Sequence, residues 1–371
     1  MHGVSFAAKQ LLERVRQLLP TEYQRDSLDA LMGLFLQATG IPLPQHSRMK
    51  SPSALSRFLN RYPWSVRAVI RAIRRAMLEQ FQPPVGRGRR PVLQVILDLT
   101  ALEKVGKFKG LNELIKVLNG KRGLQLVMLY LVIGRWRIPW GFRVWRGKGE
   151  ATPSALALKL VRTLPAWLRR SYRVLVLADA GFGSVELLEG VKALGLDAVV
   201  GMRCDRRLTD GRALQEIKLR GSRVELEGLS FPVYASWVWL KREGDKRELR
   251  MVVSTRALSG KRIARWGKRR WQIEGFFKTS KHRFGLHRFG QGTRTGVYRW
   301  LVLSLLAFVL AHWAHLASFA AAELDWGRAA HAALEQLLPG VLLFTLLWDL
   351  KQLHPILRSA GLAVRIVRCK M

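Results

Sequence analysis

The segment Arg269 to Lys281 (RRWQIEGFFKTSK) sets a single acid, Glu274, among cations and aromatic side chains. On one α-helix, at about 100° per residue, Arg270, Glu274 and Lys281 fall within roughly 40° of one another. One interpretation is an exposed i,i+4 ion pair worth roughly 0.2–0.5 kcal/mol. The other is a metal-ligating carboxylate between two cations that hold phosphate groups. These residues alone leave both interpretations open.

Two aspartates elsewhere follow apolar runs. Asp98 lies near the end of VLQVILDLT, and Asp179 ends the apolar run of RVLVLADAGFGS; both are patterns of buried strands with a polar tip. Ligand sites of open α/β sheets form at strand ends. The predicted topology makes these two strands neighbours, so both carboxylates can converge and Glu274 can complete the cluster from a packed helix. Three carboxylates without His or Cys suit Mg²⁺ or Mn²⁺ rather than zinc. Two such ions, about 3.5–4 Å apart, would activate a nucleophile and stabilise the leaving oxygen of a phosphoryl displacement.

The order of elements predicts a mixed α/β sheet. After VLQVILDLT come two close, antiparallel strand patterns, LQLVMLYLVIG and RIPWGFRVWRG, and then the amphipathic helix PSALALKLVRTLPAWLRR. The strand that ends at Asp179, the helix VELLEGVKALG and the strand LDAVVGMR follow. This order predicts a ribonuclease-H-like fold.

Changes of pattern predict five segments. Residues 1–85 form a helical DNA-binding domain, and a linker of Pro, Gly and Arg (Gln82 to Pro91) follows. Residues 86–203 form the first part of the catalytic core. Residues 204–259 form a β-rich insertion with a hairpin about REGDKR. Residues 260–322 complete the core, with a Glu274 helix that begins near Ser259 to Arg262, and 323–371 form a C-terminal helical region.

The chain is strongly basic. Lys and Arg number 63 against 26 Asp and Glu, which gives a formal net charge of +37 at pH 7. Such a charge disfavours the compact state through self-repulsion unless a polyanion neutralises it. Nucleic acid is the first candidate and an anionic membrane surface the second.

Arginines recur at helical spacing between Ser53 and Phe81, a stretch in which Glu79 is the one acid that offsets them. A solvated basic face is the ordinary interpretation, but the charge of the chain favours contact with the DNA backbone. The residues are Arg57, Arg61, Arg67, Arg71, Arg74 and Arg75.

One segment, Trp300 to Ala322, is long enough to span a bilayer. His312 and His315 interrupt it, so we interpret it as a helix buried in a protein core, and we expect no membrane association. Two cysteines give neither a disulfide framework nor zinc spacing, and the N-terminus lacks the apolar core of an export signal. We therefore expect a cytoplasmic protein.

The segment RRWQIEGFFKTSK resembles the signature Tyr-x2-Arg-x3-Glu-x6-Lys of the bacterial Insertion Sequence 4 family of DDE transposases. Arg270, Glu274 and Lys281 fall on its Arg, Glu and Lys. LDLT at Asp98 and LADAGFGS at Asp179 resemble the two aspartate regions of the family. The resemblance runs from about residue 51 to about residue 313.

The resemblance implies a bacterial, nucleoid-associated transposase with a ribonuclease-H-like core and a β-rich insertion. Its catalytic and metal-ligating residues would be Asp98, Asp179 and Glu274, with two Mg²⁺ or Mn²⁺ ions. It would cleave double-stranded DNA at the terminal inverted repeats of its element and join the ends to target DNA, as a homodimer in a synaptic complex. Arg270 and Lys281 would hold phosphates.

Three further residues are candidates for DNA contact. Lys278 is predicted to bind phosphate. Trp237 and Trp239 alternate onto one face of the hairpin, where sheet packing is favoured, but relatives stack an aromatic of this insertion on a displaced base. The family's Tyr position is Gly267 here, so its contact is lost or moved to the adjacent Trp266.

Two other functions stay open. A metal-dependent nuclease on the same fold would cut DNA without joining it, and a strand-transfer assay would separate it from a transposase. A non-catalytic basic protein that binds DNA or a membrane surface would need none of the three acids.

Overall fold

The structure is a computed structural model, which describes residues 2–81, 90–104, 110–241, 247–318 and 323–364. Most of the predicted linker, the centre of the predicted hairpin turn and Cys369 lie outside these residues.

The chain forms twelve α-helices and nine strands over the described residues. The helices are α1 (His2–Gln17), α2 (Glu22–Leu36), α3 (Pro52–Asn60), α4 (Val66–Glu79), α5 (Pro153–Val161), α6 (Ala166–Ser171), α7 (Val185–Ala193), α8 (Gly260–Arg269), α9 (Gln272–His282), α10 (Arg294–Ser318), α11 (Trp326–Leu337) and α12 (Pro339–Ser359). The strands are β1 (Val92–Glu103), β2 (Ile115–Leu118), β3 (Lys121–Ile133), β4 (Trp136–Val144), β5 (Arg173–Ala178), β6 (Asp197–Met202), β7 (Ser222–Val224), β8 (Val233–Lys241) and β9 (Arg247–Ser254).

These elements form two compact units. One comprises residues 1–80 and 279–371, and the other comprises residues 81–278, which contain all nine strands. This division differs from the five predicted segments, because the helices after residue 279 belong to the same unit as the N-terminal helices. The predicted DNA-binding role of residues 1–85 stays a prediction.

The sheet of the second unit runs in the order β2-β3-β1-β5-β6-β9-β8-β7, and β4 also pairs with β3. Strands β1, β3 and β4 are antiparallel, whereas β5 is parallel to β1 and to β6. The sequence predicted three antiparallel strands followed by two strands that each come after a helical segment, and the sheet confirms this order. The fold is the mixed α/β, ribonuclease-H-like arrangement that the order of elements predicted.

The central strands are apolar because both faces of the sheet are covered. Every residue of β1 from Leu93 to Asp98 is buried, as is every residue of β3 from Gly123 to Ile133. Near-continuous Val, Ile and Leu are typical of strands covered on both sides. A buried carboxylate in such a strand is costly unless it is compensated, so Asp98 needs a partner.

Residues 204–259 extend this sheet. Strands β8 and β9 form the predicted hairpin, and β9 pairs antiparallel with β6 from Val199↔Ser254 to Met202↔Met251. Strand β7 pairs antiparallel with β8 and forms the edge of the sheet on this side. The β-rich part therefore continues the core sheet at β6.

The predicted helix PSALALKLVRTLPAWLRR is two helices in the structure. Helix α5 ends at Val161 and α6 begins at Ala166. Pro165, which precedes α6, has no backbone N–H and disfavours helical backbone at Leu164, the residue before it. The break follows from that proline.

The first unit is built around α10, which packs against α1, α2, α3, α4 and α11. Residues Trp300 to Leu316 of α10 are all buried. Among the described helices, α10 is the one that is long and apolar enough to span a bilayer by itself. The bent pair α11 and α12 would be a second candidate only if the two helices were counted as one span. Burial of α10 among five helices agrees with the predicted core helix.

A buried arginine of α10 holds the turn between α3 and α4. Arg299 is 4% exposed and donates from Nη1 to the carbonyls of Phe58 and Leu59, at 3.2 and 2.9 Å. Its Nη2 donates to the carbonyls of Tyr62 and Trp64, at 2.7 and 2.5 Å. The last carbonyls of a helix have no partner within the helix, so one guanidinium satisfies the end of α3 and the loop that follows. Burial lowers the pKa of Arg299 to about 10.

We expect Arg299→Met to lower the free energy of unfolding of the chain by about 3 kcal/mol, because several buried carbonyls lose a charged donor at once. Arg288→Met removes an exposed arginine and should change the free energy of unfolding by less than about 0.5 kcal/mol. Urea unfolding followed by tryptophan fluorescence measures both variants. Equal unfolding midpoints would contradict a structural role for Arg299.

Candidate active site

The strands that carry the two aspartates are paired in the register that brings them together. Strand β1 is parallel to β5, and Leu97 lies opposite Ala178. Asp98 follows Leu97 within β1, and Asp179 directly follows Ala178, the last residue of β5. Both aspartates therefore lie where β5 ends. The predicted convergence of their strands is confirmed, but Asp98 is not at the end of its own strand. Strand β1 continues to Glu103 because β3 keeps pairing with it as far as Gly123.

Asp179 ends β5 and starts the turn that follows. Its Oδ1 accepts the backbone N–H of Gly181 at 3.0 Å, and it caps the single helical turn Ala180–Phe182. Aspartate is favoured at such a position because its oxygen satisfies a backbone donor that has no partner within the turn. This bond fixes the direction of the carboxylate.

Strand β6 approaches that turn closely because residue 201 is glycine. A Cβ at Gly201 would lie 2.7 Å from the backbone nitrogen of Ala180 and 3.0 Å from the carbonyl carbon of Asp179. Backbone atoms cannot rotate away as a side chain can, so a larger residue must displace the turn. Gly201 therefore helps to place Asp179.

We expect Gly201→Ala to lower DNA cleavage at least about tenfold, since displacement of a reacting group by about 1 Å is costly in rate. Gly195→Ala is a control for the stability of the region, because a Cβ there meets no atom within 4 Å, although its φ of +69° disfavours alanine. Cleavage rate per folded molecule is the measurement. A normal rate in Gly201→Ala would show that the turn tolerates the methyl group.

The segment that carries Glu274 consists of two helices, which corrects the prediction of one helix that begins near Ser259 to Arg262. Helix α8 ends at Arg269 and α9 begins at Gln272, with Arg270 at the junction. The backbone N–H groups of Trp271, Ile273 and Glu274 bond three residues back, so the chain takes tight turns between the end of α8 and the start of α9. Glu274 lies in the first turn of α9, where the helix dipole favours a carboxylate.

Arg270 bridges two of the three predicted acids. Its Nη1 donates to Asp98 Oδ2 at 2.9 Å and its Nη2 donates to Glu274 Oε1 at 2.8 Å. The Asp98 and Arg270 side chains are only 10% and 14% exposed, whereas Glu274 is 59% exposed. The bond to Glu274 is the predicted i,i+4 pair, but the bond to Asp98 joins residues 172 positions apart. The interpretation of Arg270 as an ordinary surface cation is therefore wrong.

Apolar and polar contacts hold α9 on the sheet beside these acids. Phe276 stacks on Tyr130 of β3 with 4.7 Å between ring centroids, and Ile273 is fully buried. Gln272 Nε2 donates to Oε1 of Gln94 on β1 at 3.1 Å. Gln94 and Asp98 lie on one face of β1, because strand side chains alternate. These contacts place the start of α9 over the acidic position of β1.

The charges of the three acids interact. Burial, followed by the neighbouring charge of Asp179, raises the pKa of Asp98 to about 7. Arg270 and the Leu99 N–H act in the opposite direction, and Glu274 adds a small increase. A carboxyl group with a pKa shifted by burial and like charge is a frequent property of functional sites.

The donor set fits a hard divalent cation. Asp98, Asp179 and Glu274 offer carboxylate oxygens, and their mutual repulsion would be relieved by positive charge. Over the described parts of the chain, no group of three or more His, Cys, Asp or Glu side chains is close enough to hold one ion. The guanidinium of Arg270 lies between Asp98 and Glu274 and bonds to both.

The other predicted DNA contacts have different surroundings. Lys278 is exposed on α9, and five of the six N-terminal arginines are exposed, whereas Arg74 is half-buried. Lys281 lies on α9 within the unit formed by residues 1–80 and 279–371. Their contacts with DNA stay predictions.

Trp237 and Trp239 differ from each other. Arg220 lies over the ring of Trp237, with its Cζ 4.9 Å from the centroid, so one face of that ring already contacts a cation. Trp239 is 52% exposed and therefore has a free ring surface. Base stacking stays a prediction, and it is better suited to Trp239.

Gly267, where the resembled signature has Tyr, lies close to β9. A Cβ there would come within 3.1 and 3.2 Å of the two Val252 methyl groups. Helix α8 thus packs on β9 at a distance that leaves little room for a side chain. Arg269 lies over the ring of Trp266, with its Cζ 5.1 Å from the centroid, so the neighbouring aromatic is already engaged.

Residues 137–310, just under half of the chain, match the model of the transposase DDE domain family. The fold is similar to a cryo-EM structure of a piggyBac transposase synaptic complex with hairpin DNA, with a TM-score of 0.53 and 10% sequence identity over 99% of this chain and 84% of that one. These findings support a DDE transposase. No curated protein sequence matches the chain.

The family match contains Asp179, Arg270, Glu274 and Lys281 but begins after Asp98. Asp98 is placed in the site by the structure itself, through its register beside Asp179 and its bond to Arg270. The Insertion Sequence 4 family, as distinct from DDE transposases in general, remains a resemblance.

Sequence reasoning missed two roles. It did not anticipate that Arg270 would bond to Asp98. It also did not anticipate that Gly201, which has no side chain, would let the turn after Asp179 approach β6 closely. The glycine in LDAVVGMR was a signal for the second, because glycine inside a strand indicates close approach of another backbone.

Proposed function

We propose that this chain is a DNA transposase that cleaves DNA at the ends of its element and joins the freed ends to target DNA. The observation that carries the proposal is that Arg270 bonds to both Asp98 and Glu274, while the register of β1 and β5 sets Asp179 beside Asp98. The match to the transposase DDE domain and the net charge of +37 support it.

Each residue has a distinct role in the proposed reaction. Asp98, Asp179 and Glu274 would hold two Mg²⁺ or Mn²⁺ ions, which activate the attacking hydroxyl or water and stabilise the leaving oxygen. The sheet and the Gly181 N–H orient the two aspartates, and the packing of α9 orients Glu274. Arg270 is near enough to these acids to bind a neighbouring phosphate through its two-pronged guanidinium.

The exposed arginines of α3 and α4 are proposed to bind the DNA backbone at the terminal inverted repeats. Arg57, Arg67, Arg71 and Arg75 are exposed, and Arg299 holds the turn between their helices. Because α3 and α4 pack against α10, a fragment of residues 1–85 would lack its core helix. Tests of this surface therefore need the full chain.

A partner subunit is also part of the proposal. The structural neighbour is described as a synaptic complex with DNA, and we propose that this chain likewise binds double-stranded DNA as a homodimer.

The test uses the full chain with a DNA duplex that carries the inverted repeats flanking its coding sequence. We expect Mg²⁺-dependent cleavage at the repeat ends and, with a pre-cleaved end, joining to a target plasmid. Cleavage without joining would identify a nuclease. Binding without either reaction would identify a non-catalytic DNA-binding protein.

A further inference from the structure

Arg270 occupies carboxylate oxygens that the proposed metal ions require. One guanidinium bonds to Asp98 Oδ2 and to Glu274 Oε1, at 2.9 and 2.8 Å, on two different elements of the same unit. The Arg270 and Asp98 side chains are 14% and 10% exposed, so the bond between them is largely shielded from solvent. A guanidinium and a divalent cation cannot bind the same oxygen lone pairs at short range, and their positive charges repel.

The guanidinium has another partner available when DNA binds. Arginine binds phosphate through two parallel hydrogen bonds, with the same fork that it offers to carboxylates. Glu274, the more exposed of its two present partners, is 59% exposed, so that end of the bridge lies at the protein surface. A phosphate arriving there can replace a carboxylate as the partner of Arg270.

We propose that Arg270 closes the carboxylate cluster in the DNA-free protein and exchanges Asp98 and Glu274 for a DNA phosphate when substrate binds. This inference rests on the proposed function, since it concerns the same metal site. It makes metal affinity depend on DNA: the free protein binds divalent ions weakly, and bound DNA releases the acids. Coupling of this kind is reciprocal, so metal ions also tighten DNA binding.

The test measures metal affinity in the absence of DNA, so it needs no catalytic turnover. Arg270→Gln should bind Mn²⁺ about tenfold more tightly than the wild type, because the apparent affinity of a site falls with the fraction of molecules in which it is open. Electron paramagnetic resonance of free Mn²⁺ in oxygen-free buffer at pH 8.5, where proton competition for the acids is low, gives the dissociation constants. Arg265→Gln removes an exposed arginine of α8 and controls for the loss of one positive charge.

The variants separate this inference from the proposed function. The gain in Arg270→Gln should vanish when Asp98→Asn is added, which assigns the ion to the cluster. Equal Mn²⁺ affinities in Arg270→Gln and Arg265→Gln, with binding that still depends on Asp98, would overturn the inference and leave the metal site intact. Binding that is independent of Asp98 in every variant would overturn both.

A second measurement checks the exchange. Terminal-repeat DNA should raise the Mn²⁺ affinity of the wild type by a larger factor than that of Arg270→Gln, because only the wild type has a bridge to release. Equal factors in the two proteins would show that Arg270 does not couple the two ligands.

Discussion

Replacement of Asp98 by Asn is expected to reduce Mg²⁺-dependent DNA cleavage by roughly 10³-fold or more while DNA affinity changes by less than about threefold. The rate falls because a carboxylate ligand contributes several kcal/mol to the transition state through the metal ions. Affinity is retained because it comes mainly from cations that contact phosphate. Asp179→Asn and Glu274→Gln should have the same effect.

The matched control for this loss is Asp197→Asn, which removes another acid from the sheet of the same unit. Asp197 lies on β6 and pairs with Arg256 at 3.4 Å, and neither has a contact with the three acids. Cleavage rates are measured with saturating DNA and Mg²⁺, and affinity by fluorescence anisotropy. If Asp98→Asn kept a rate within tenfold of the wild type, Asp98 would not be a metal ligand.

The same substitution is expected to stabilise the metal-free protein at high pH. The pKa of Asp98 is about 7 in the folded chain and 3.8 in a model peptide. Below about pH 4 the carboxyl is protonated in both states. Between pH 4 and 7 the unfolded chain has lost the proton that the folded chain still holds, so the free energy of unfolding falls as pH rises. Above pH 7 the loss is complete, at roughly 4 kcal/mol, from about 1.4 kcal/mol per pKa unit.

Asp98→Asn removes this loss, so its stability relative to the wild type should rise by roughly 4 kcal/mol between pH 4 and pH 8. Glu103→Gln replaces an exposed carboxylate of the same strand and should show little such dependence. Urea unfolding in the presence of EDTA at pH 4, 6 and 8 measures the difference. A gain that does not grow with pH would show that Asp98 is ionised in the folded protein at little cost.

The two effects of one substitution have opposite signs. A buried acid beside a second acid destabilises the chain, and the same arrangement is what attracts a divalent cation. Loss of cleavage together with a gain in stability is therefore a stronger indication of a metal site than either result alone.

Several features followed from the sequence because they depend on local pattern. Apolar runs predicted β1, β3 and β5, since strands covered on both faces need them, and the order of elements predicted the sheet. The acids that close two of those runs marked Asp98 and Asp179. Apolar composition marked α10 as a core helix, and helical spacing marked the exposed arginines of α3 and α4.

Other features were decided by the tertiary structure, because they join residues far apart in the chain. The partner of Arg270 visible in the sequence is Glu274, four residues away, but its buried bond is to Asp98 on β1. The partners of Arg299 are carbonyls at the end of α3 and in the turn after it, more than 230 residues earlier. A backbone carbonyl is present at every residue, so no sequence pattern indicates which of them an arginine will reach. Packing of α9 on β1 and of α10 on α3 brings these groups together, and burial then makes each contact strong because water no longer competes for it.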